Sequence, residues 1–105
     1  MSKYRAFVHY HFKKGMEEKG MKFLENELFK KAQTYGCHGL ELLQNEVDSC
    51  QVLGIGFWNS LEEAKKFQSV WDSKEKELME FCERKPNREF CKVRTTYAEK
   101  AKKAA

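Results

Sequence analysis

The segment Cys50 to Trp58 sets the strongest limit on how this chain folds. Alternation along a strand puts Val52 and Trp58 on one face and Leu53, Ile55 and Phe57 on the other, so neither face suits water. Gly54 and Gly56 share the first face two residues apart and leave volume there for a ligand or another backbone. A strand of this kind needs a layer on each side. One layer comes from the chain's own helices. A chain of 105 residues has length for one domain but not for a third layer. The second cover is therefore expected from another subunit, by two sheets packing face to face in a homodimer.

The flanking segments supply the first layer. From Tyr4 to Phe12 the chain alternates, with Tyr4, Ala6, Val8, Tyr10 and Phe12 on one side and Arg5, Phe7, His9 and His11 on the other, which predicts a first strand. After Lys13-Lys14-Gly15 the period changes. Met21, Leu24, Leu28, Ala32 and Tyr35 recur at spacings of three and four, a helical stripe that Gly36 ends as a C-terminal cap. Gly39 opens a second strand through Leu40, Leu42 and Leu43, and the polar run Asn45 to Ser49 reads as the hairpin loop into the third. Ser60 with Glu63 is a capping-box pattern. It opens a helix carrying Ala64, Phe67, Trp71, Leu78, Phe81 and Cys82, with an interruption expected near Asp72-Ser73 and an end before Pro86. A last strand is expected from Glu89 to Tyr97. The order strand, helix, strand, strand, helix, strand is the α+β, ferredoxin-like β-α-β-β-α-β arrangement, with both helices on one face of a four-stranded antiparallel sheet.

Composition excludes several classes. A chain that is 41% hydrophobic and 34% charged, with both signs interspersed, forms a packed interior rather than a disordered polyelectrolyte. No apolar run approaches a bilayer span and no signal-peptide block follows the basic start, so a cytoplasmic protein with no membrane association is expected. The domain is read over residues 1–97, followed by a basic tail over 98–105. No aromatic residue interleaves Lys100, Lys102 and Lys103 in that tail, so no nucleic-acid partner is expected. Cys37, Cys50, Cys82 and Cys91 show no zinc-type spacing and are expected to be reduced. Cys82 and Cys91 fall within apolar patterns and read as small core residues.

His9 and His11 are the weak catalytic candidates. Two apart on one strand, they share a face and could meet one metal or substrate, but only Cys37 and His38, in a distant turn, offer a third ligand. No metal site is expected, and the commoner role for such a pair is on the face that meets the partner subunit. No Ser-His-Asp grouping, phosphate-binding glycine loop or paired-carboxylate signature is present.

The segment Gly56-Phe57-Trp58-Asn59-Ser60-Leu61-Glu62-Glu63-Ala64, followed by Phe67, carries a family resemblance together with Phe12-Lys13-Lys14-Gly15 and Gly36 to Gly39. Over most of residues 4–97 the sequence resembles the antibiotic biosynthesis monooxygenase-like proteins of the dimeric α+β barrel superfamily. The resemblance implies a homodimer with no cofactor, acting as a monooxygenase on a small aromatic or quinone-like molecule between sheet and helices. Val8, Tyr10, Trp58, Phe67 and Trp71 would line that pocket. The alternative it carries is a non-catalytic dimeric barrel, ligand-binding or stress-related. Haem-degrading members use an asparagine, a tryptophan and a histidine where this sequence has Val8, Phe67 and Glu77, so haem degradation is disfavoured.

Overall fold

A computed structural model describes residues 3–97. The elements run β1 (Tyr4–His11), α1 (Glu17–Phe23), a π-helical segment (Leu24–Phe29), α2 (Lys30–Thr34), β2 (Cys37–Gln44), β3 (Gln51–Trp58), α3 (Leu61–Lys66), α4 (Gln68–Met79) and β4 (Asn87–Lys92). The four strands form one antiparallel sheet in the order β2-β3-β1-β4. The helices lie on one face, giving the ferredoxin-like α+β architecture. Among the described residues no helix is long and apolar enough to cross a membrane. The basic tail over 98–105 lies outside the described residues.

The first helical stretch is continuous but not uniform. Its buried residues are Gly20, Leu24, Leu28 and Ala32, spaced by four throughout. In an α-helix a four-residue step rotates the side chain by about 40° past a full turn, so three steps would carry the stripe off the core. The wider turns of the π segment absorb that drift. Gly36, at φ +107°, closes the stretch as the sequence predicts, while Tyr35 is 40% exposed rather than part of the stripe.

Three sequence expectations are corrected. Asp72 and Ser73 sit inside α4: Gln68 Nε2 donates to Asp72 Oδ1 at 2.8 Å and Ser73 Oγ donates to the Val70 carbonyl at 2.7 Å, so both polar side chains are satisfied within the helix. The interruption falls at Phe67, whose ring is held between Trp58 (5.9 Å) and Tyr35 (5.5 Å). Contacts remote in sequence fix that turn. The last strand occupies Asn87–Lys92, not Glu89 to Tyr97. Among the described residues it is an edge strand paired only with β1; Lys92 faces Tyr4, the first residue of β1, and one further bond, from the Val93 N–H to the Lys3 carbonyl at 2.7 Å, lies beyond that pair. Cys91 is exposed, because alternation in β4 turns Arg88 and Phe90 toward the helices instead. Cys82 is buried, as expected.

Ser60 does cap α3, its Oγ accepting from the Glu63 N–H at 3.1 Å. In the hairpin loop Asn45 Oδ1 accepts from the N–H groups of Val47 and Asp48, both at 2.8 Å, which holds the turn between β2 and β3.

Candidate functional site

The sheet's helix-facing side has a trough along its centre. Across the register the rows read Leu42, Gly54, Val8, Arg88 and Leu40, Gly56, Ala6, Phe90, so the two central strands contribute the smallest side chains. Two rings lie in it. A β-carbon at Gly54 would stand 3.0 Å from Tyr10 Cε2, and one at Gly56 would stand 3.0 Å from Trp58 Nε1. The glycine pair read from sequence thus makes room for Tyr10 and Trp58, both nearly inaccessible to solvent.

What remains is a cavity of about 30 Å³ between trough and helices, roughly the space of one water molecule. Val8, Tyr10, Trp58, Phe67 and Trp71 all line it, brought together from β1, β3, the α3–α4 junction and α4. Leu28, Phe29 and Ala32 close it from the π segment and α2. Polar groups of three residues, Trp58, Tyr10 and Arg88, interrupt this apolar lining. Trp58 Nε1 is buried with no hydrogen-bond partner, although buried indole N–H groups ordinarily find one. Tyr10 is fully enclosed, and burial pushes its phenol well above the ordinary value, against a hydrogen bond with Trp71 and the positive charge of Arg88. The phenol is therefore a neutral donor at physiological pH.

Arg88 is the charged residue of the lining, and like Leu28, Phe29, Ala32 and Leu40 it was not among the five expected from sequence. It faces Val8 across the β1–β4 ladder and lies over the rings of Phe67 (5.6 Å) and Phe90 (4.7 Å). The signal was the alternation Arg88, Phe90, Lys92; a strand begun at Glu89 leaves the arginine outside. Burial draws its pKa down to about 10, opposed by Tyr10, Asp72 and Cys37, so it stays charged at neutral pH.

His9 and His11 lie apart from this cavity. They point to the opposite face and line an open groove of about 540 Å³ at the hairpin end of the sheet, with Leu43, Leu53, Arg84, Lys85 and Asn87. Cys37 and His38 do not approach them. Cys37 pairs with Trp58 at the other end of β3, and His38 Nε2 is 2.6 Å from Asn59 Nδ2. Among the described residues no group of three or more His, Cys, Asp or Glu side chains could hold a metal ion. Of the positions aligned with the haem-degrading residues, Val8 and Phe67 line the cavity. Glu77 is exposed on α4, 3.9 Å from Lys74, and no histidine lines the cavity.

No family model matches the chain. No curated protein matches it either. Solved structures do. A monooxygenase from the gene ActVA-Orf6 of Streptomyces coelicolor, in complex with nanaomycin D, superposes with a TM-score of 0.77 at 11% identity, covering 93% of each chain. A dimeric ferredoxin-like protein from an uncultured marine organism gives 0.73 at 13%, covering 94% of each. A protein from Bordetella bronchiseptica, provisionally named an antibiotic biosynthesis monooxygenase, gives 0.67 at 17%, covering 88% of this chain and 97% of that one. At these identities the likeness concerns backbone course, and it agrees with the element order and sheet topology derived above. The chain has the ferredoxin-like fold found in the antibiotic biosynthesis monooxygenase-like proteins.

Proposed function

We propose that the protein takes a small planar aromatic or quinone-like molecule into the space between sheet and helices and oxygenates it without a bound cofactor. The observation that carries this reading is the unpartnered indole N–H of Trp58, buried in a cavity whose other walls are almost wholly aromatic or aliphatic. A ligand carbonyl or hydroxyl oxygen would satisfy that donor while its rings replace contacts among Tyr10, Phe67 and Trp71. The cavity as it stands is too small for such a molecule, so entry requires the lining rings to move apart. Phe29, half-buried at the π segment, is one of them.

The chemistry such a site supports is set by the substrate. A methylene carbon flanked by two aromatic rings and conjugated to a carbonyl loses a proton to give an enolate. The enolate gives one electron to dioxygen, and recombination forms a carbon–oxygen bond. The resulting hydroperoxide loses water to leave a new carbonyl, so one oxygen atom enters the product and the other leaves as water. The protein would contribute desolvation, orientation and a hydrogen-bond donor at the ketone oxygen. An anthrone is the direct probe. Enzyme-dependent oxygen uptake, with the quinone formed and label from ¹⁸O₂ in the new carbonyl, is the expected result. Binding of the anthrone with uptake at the buffer rate would shift the reading to a non-catalytic ligand-binding barrel.

The second part of the reading is a homodimer. The sheet face away from the helices carries Phe7, Leu53, Ile55 and Phe57 half-buried and Leu43 48% exposed. They adjoin through the register Phe7 to Ile55 and Leu43 to Leu53. Contiguous apolar surface of this kind marks an interface. A similar fold occurs in a protein described as dimeric. Light scattering is expected to give twice the chain mass at micromolar concentration, and Ile55→Asp to give the single mass. A wild-type monomer would overturn this part.

A further inference from the structure

We propose that the open groove at the hairpin end of the sheet binds an organic phosphate, a phosphate monoester with an apolar body, on Arg84, Lys85, His9 and His11. The groove lies on the opposite side of the sheet from the cavity, so its test stands apart from the oxygenation reading.

The groove is assembled by the way the chain leaves α4. The Glu83 N–H donates to the His11 carbonyl at 2.7 Å, and Asn87 pairs with His9 across the β1–β4 ladder. Only Arg84, Lys85 and the buried Pro86 lie between these anchors, so the two cations are held, exposed, beside the two imidazoles. The volume, about 540 Å³, is that of a small-molecule site. Its charge is one-sided, because no Asp or Glu among the described residues lines it. Asp48 interacts electrostatically with His11, but its oxygens already accept from Gln51 Nε2 at 3.0 Å and from the Cys50 N–H at 3.1 Å. Lys85 Nζ is 3.8 Å from Glu75 Oε2, and an exposed pair of that length contributes little. Among the described residues the Arg84 guanidinium has no hydrogen bond or ion pair. Free donors around a carboxylate-free groove suit an anion with several oxygens. A phosphate monoester offers three, with a charge of about −1.5 to −2 at neutral pH. The other half of the groove is apolar, with Leu43 opposite Leu53 in the β2–β3 ladder, and takes the body of the ester. These two leucines also end the apolar patch assigned to the homodimer, so the groove lies at its margin. Its one aromatic residue, Tyr10, is 2% exposed and offers no face for stacking a base, which favours a small ester over a nucleic-acid strand.

Phenyl phosphate, inorganic phosphate and phenol are the probes, added to the whole chain and followed by ¹H–¹⁵N NMR of its amides and imidazoles. Phenyl phosphate should bind saturably and more tightly than inorganic phosphate, shifting His9, His11, Arg84 and Asn87. Added salt should weaken it, since the groove is open to screening. Phenol should leave these signals unmoved. Arg84→Gln combined with Lys85→Gln should weaken both phosphates at least about tenfold, the scale of a lost charge-assisted hydrogen bond, with the melting temperature unchanged because both positions are exposed. Leu43→Ser should bring phenyl phosphate down to the affinity of inorganic phosphate and leave the latter as it was. No saturable shifts with either phosphate, shifts confined to other surfaces, or undiminished binding by the Arg84 and Lys85 double variant would overturn the site. Equal binding of the two phosphates by the wild type would overturn the assignment of an organic ligand.

Discussion

Replacing Trp71 with alanine is expected to lower stability by roughly 3–5 kcal/mol, the usual cost of truncating a buried tryptophan. Trp71 is 5% exposed and faces a cavity of only about 30 Å³, so it packs against neighbours rather than walling an open cleft. Removing the indole joins its own volume to the existing void and takes away the hydrogen bond to Tyr10. For a domain of this size the melting temperature should fall by about 12 °C or more. The enlarged space should then admit planar aromatic compounds more readily than the wild type, since an apolar cavity left dry binds apolar guests. Thermal unfolding with and without 2-methoxynaphthalene, a planar apolar probe, measures both effects. A loss below about 1 kcal/mol would instead make Trp71 the wall of a pocket that is already open in solution.

Gly20→Ala is expected to have the opposite sign from the same change on an exposed helix. There, alanine gains about 1 kcal/mol over glycine. Here the new methyl carbon would stand 2.4 Å from Phe12 Cε1 and 2.6 Å from Cδ1, closer than carbon atoms tolerate. Phe12 cannot swing away: it is 1% exposed and stacked parallel on Tyr10, centroid to centroid 5.7 Å. Overpacking of this kind costs about 1–3 kcal/mol. The shift should pass through the stacked pair to Tyr10 and so to the cavity. Chemical denaturation of Gly20→Ala, Phe12→Leu and the double variant tests the mechanism. The double variant should be less destabilised than the two single changes added together, since leucine frees the space the ring held. Simple additivity would show that the two residues do not clash.

Much of this structure was legible locally. The alternation in β1 placed Ala6, Val8, Tyr10 and Phe12 in the core, and the Ser60 cap and Gly36 terminus fell where their chemistry demanded. These features depend on neighbours within a few residues, which sequence displays directly. The doubly apolar character of β3 is likewise local: Val52 and Trp58 are buried beneath the helices, while Leu53, Ile55 and Phe57 are half-buried on the other face.

The remainder required elements distant in sequence to meet. The π segment was encoded in the four-residue spacing of Gly20, Leu24, Leu28 and Ala32, but the reading that began its stripe at Met21 missed it. The contact that makes Gly20 part of the core is a ring from another element. The turn at Phe67 is held by Trp58 and Tyr35, not by any helix-breaking residue nearby. The five expected lining residues came from an apolar pattern and a family resemblance. Neither could assign Arg88, a charged residue beside a strand boundary. By itself, then, the sequence determined the order of elements and their apolar faces, because hydrophobic periodicity is a local property of the chain. Only the tertiary structure decided that the Arg88 guanidinium and a buried indole N–H without a partner among the described residues share one cavity, because Arg88 and Trp58 lie thirty residues apart and are brought together by β1, which pairs with both of their strands.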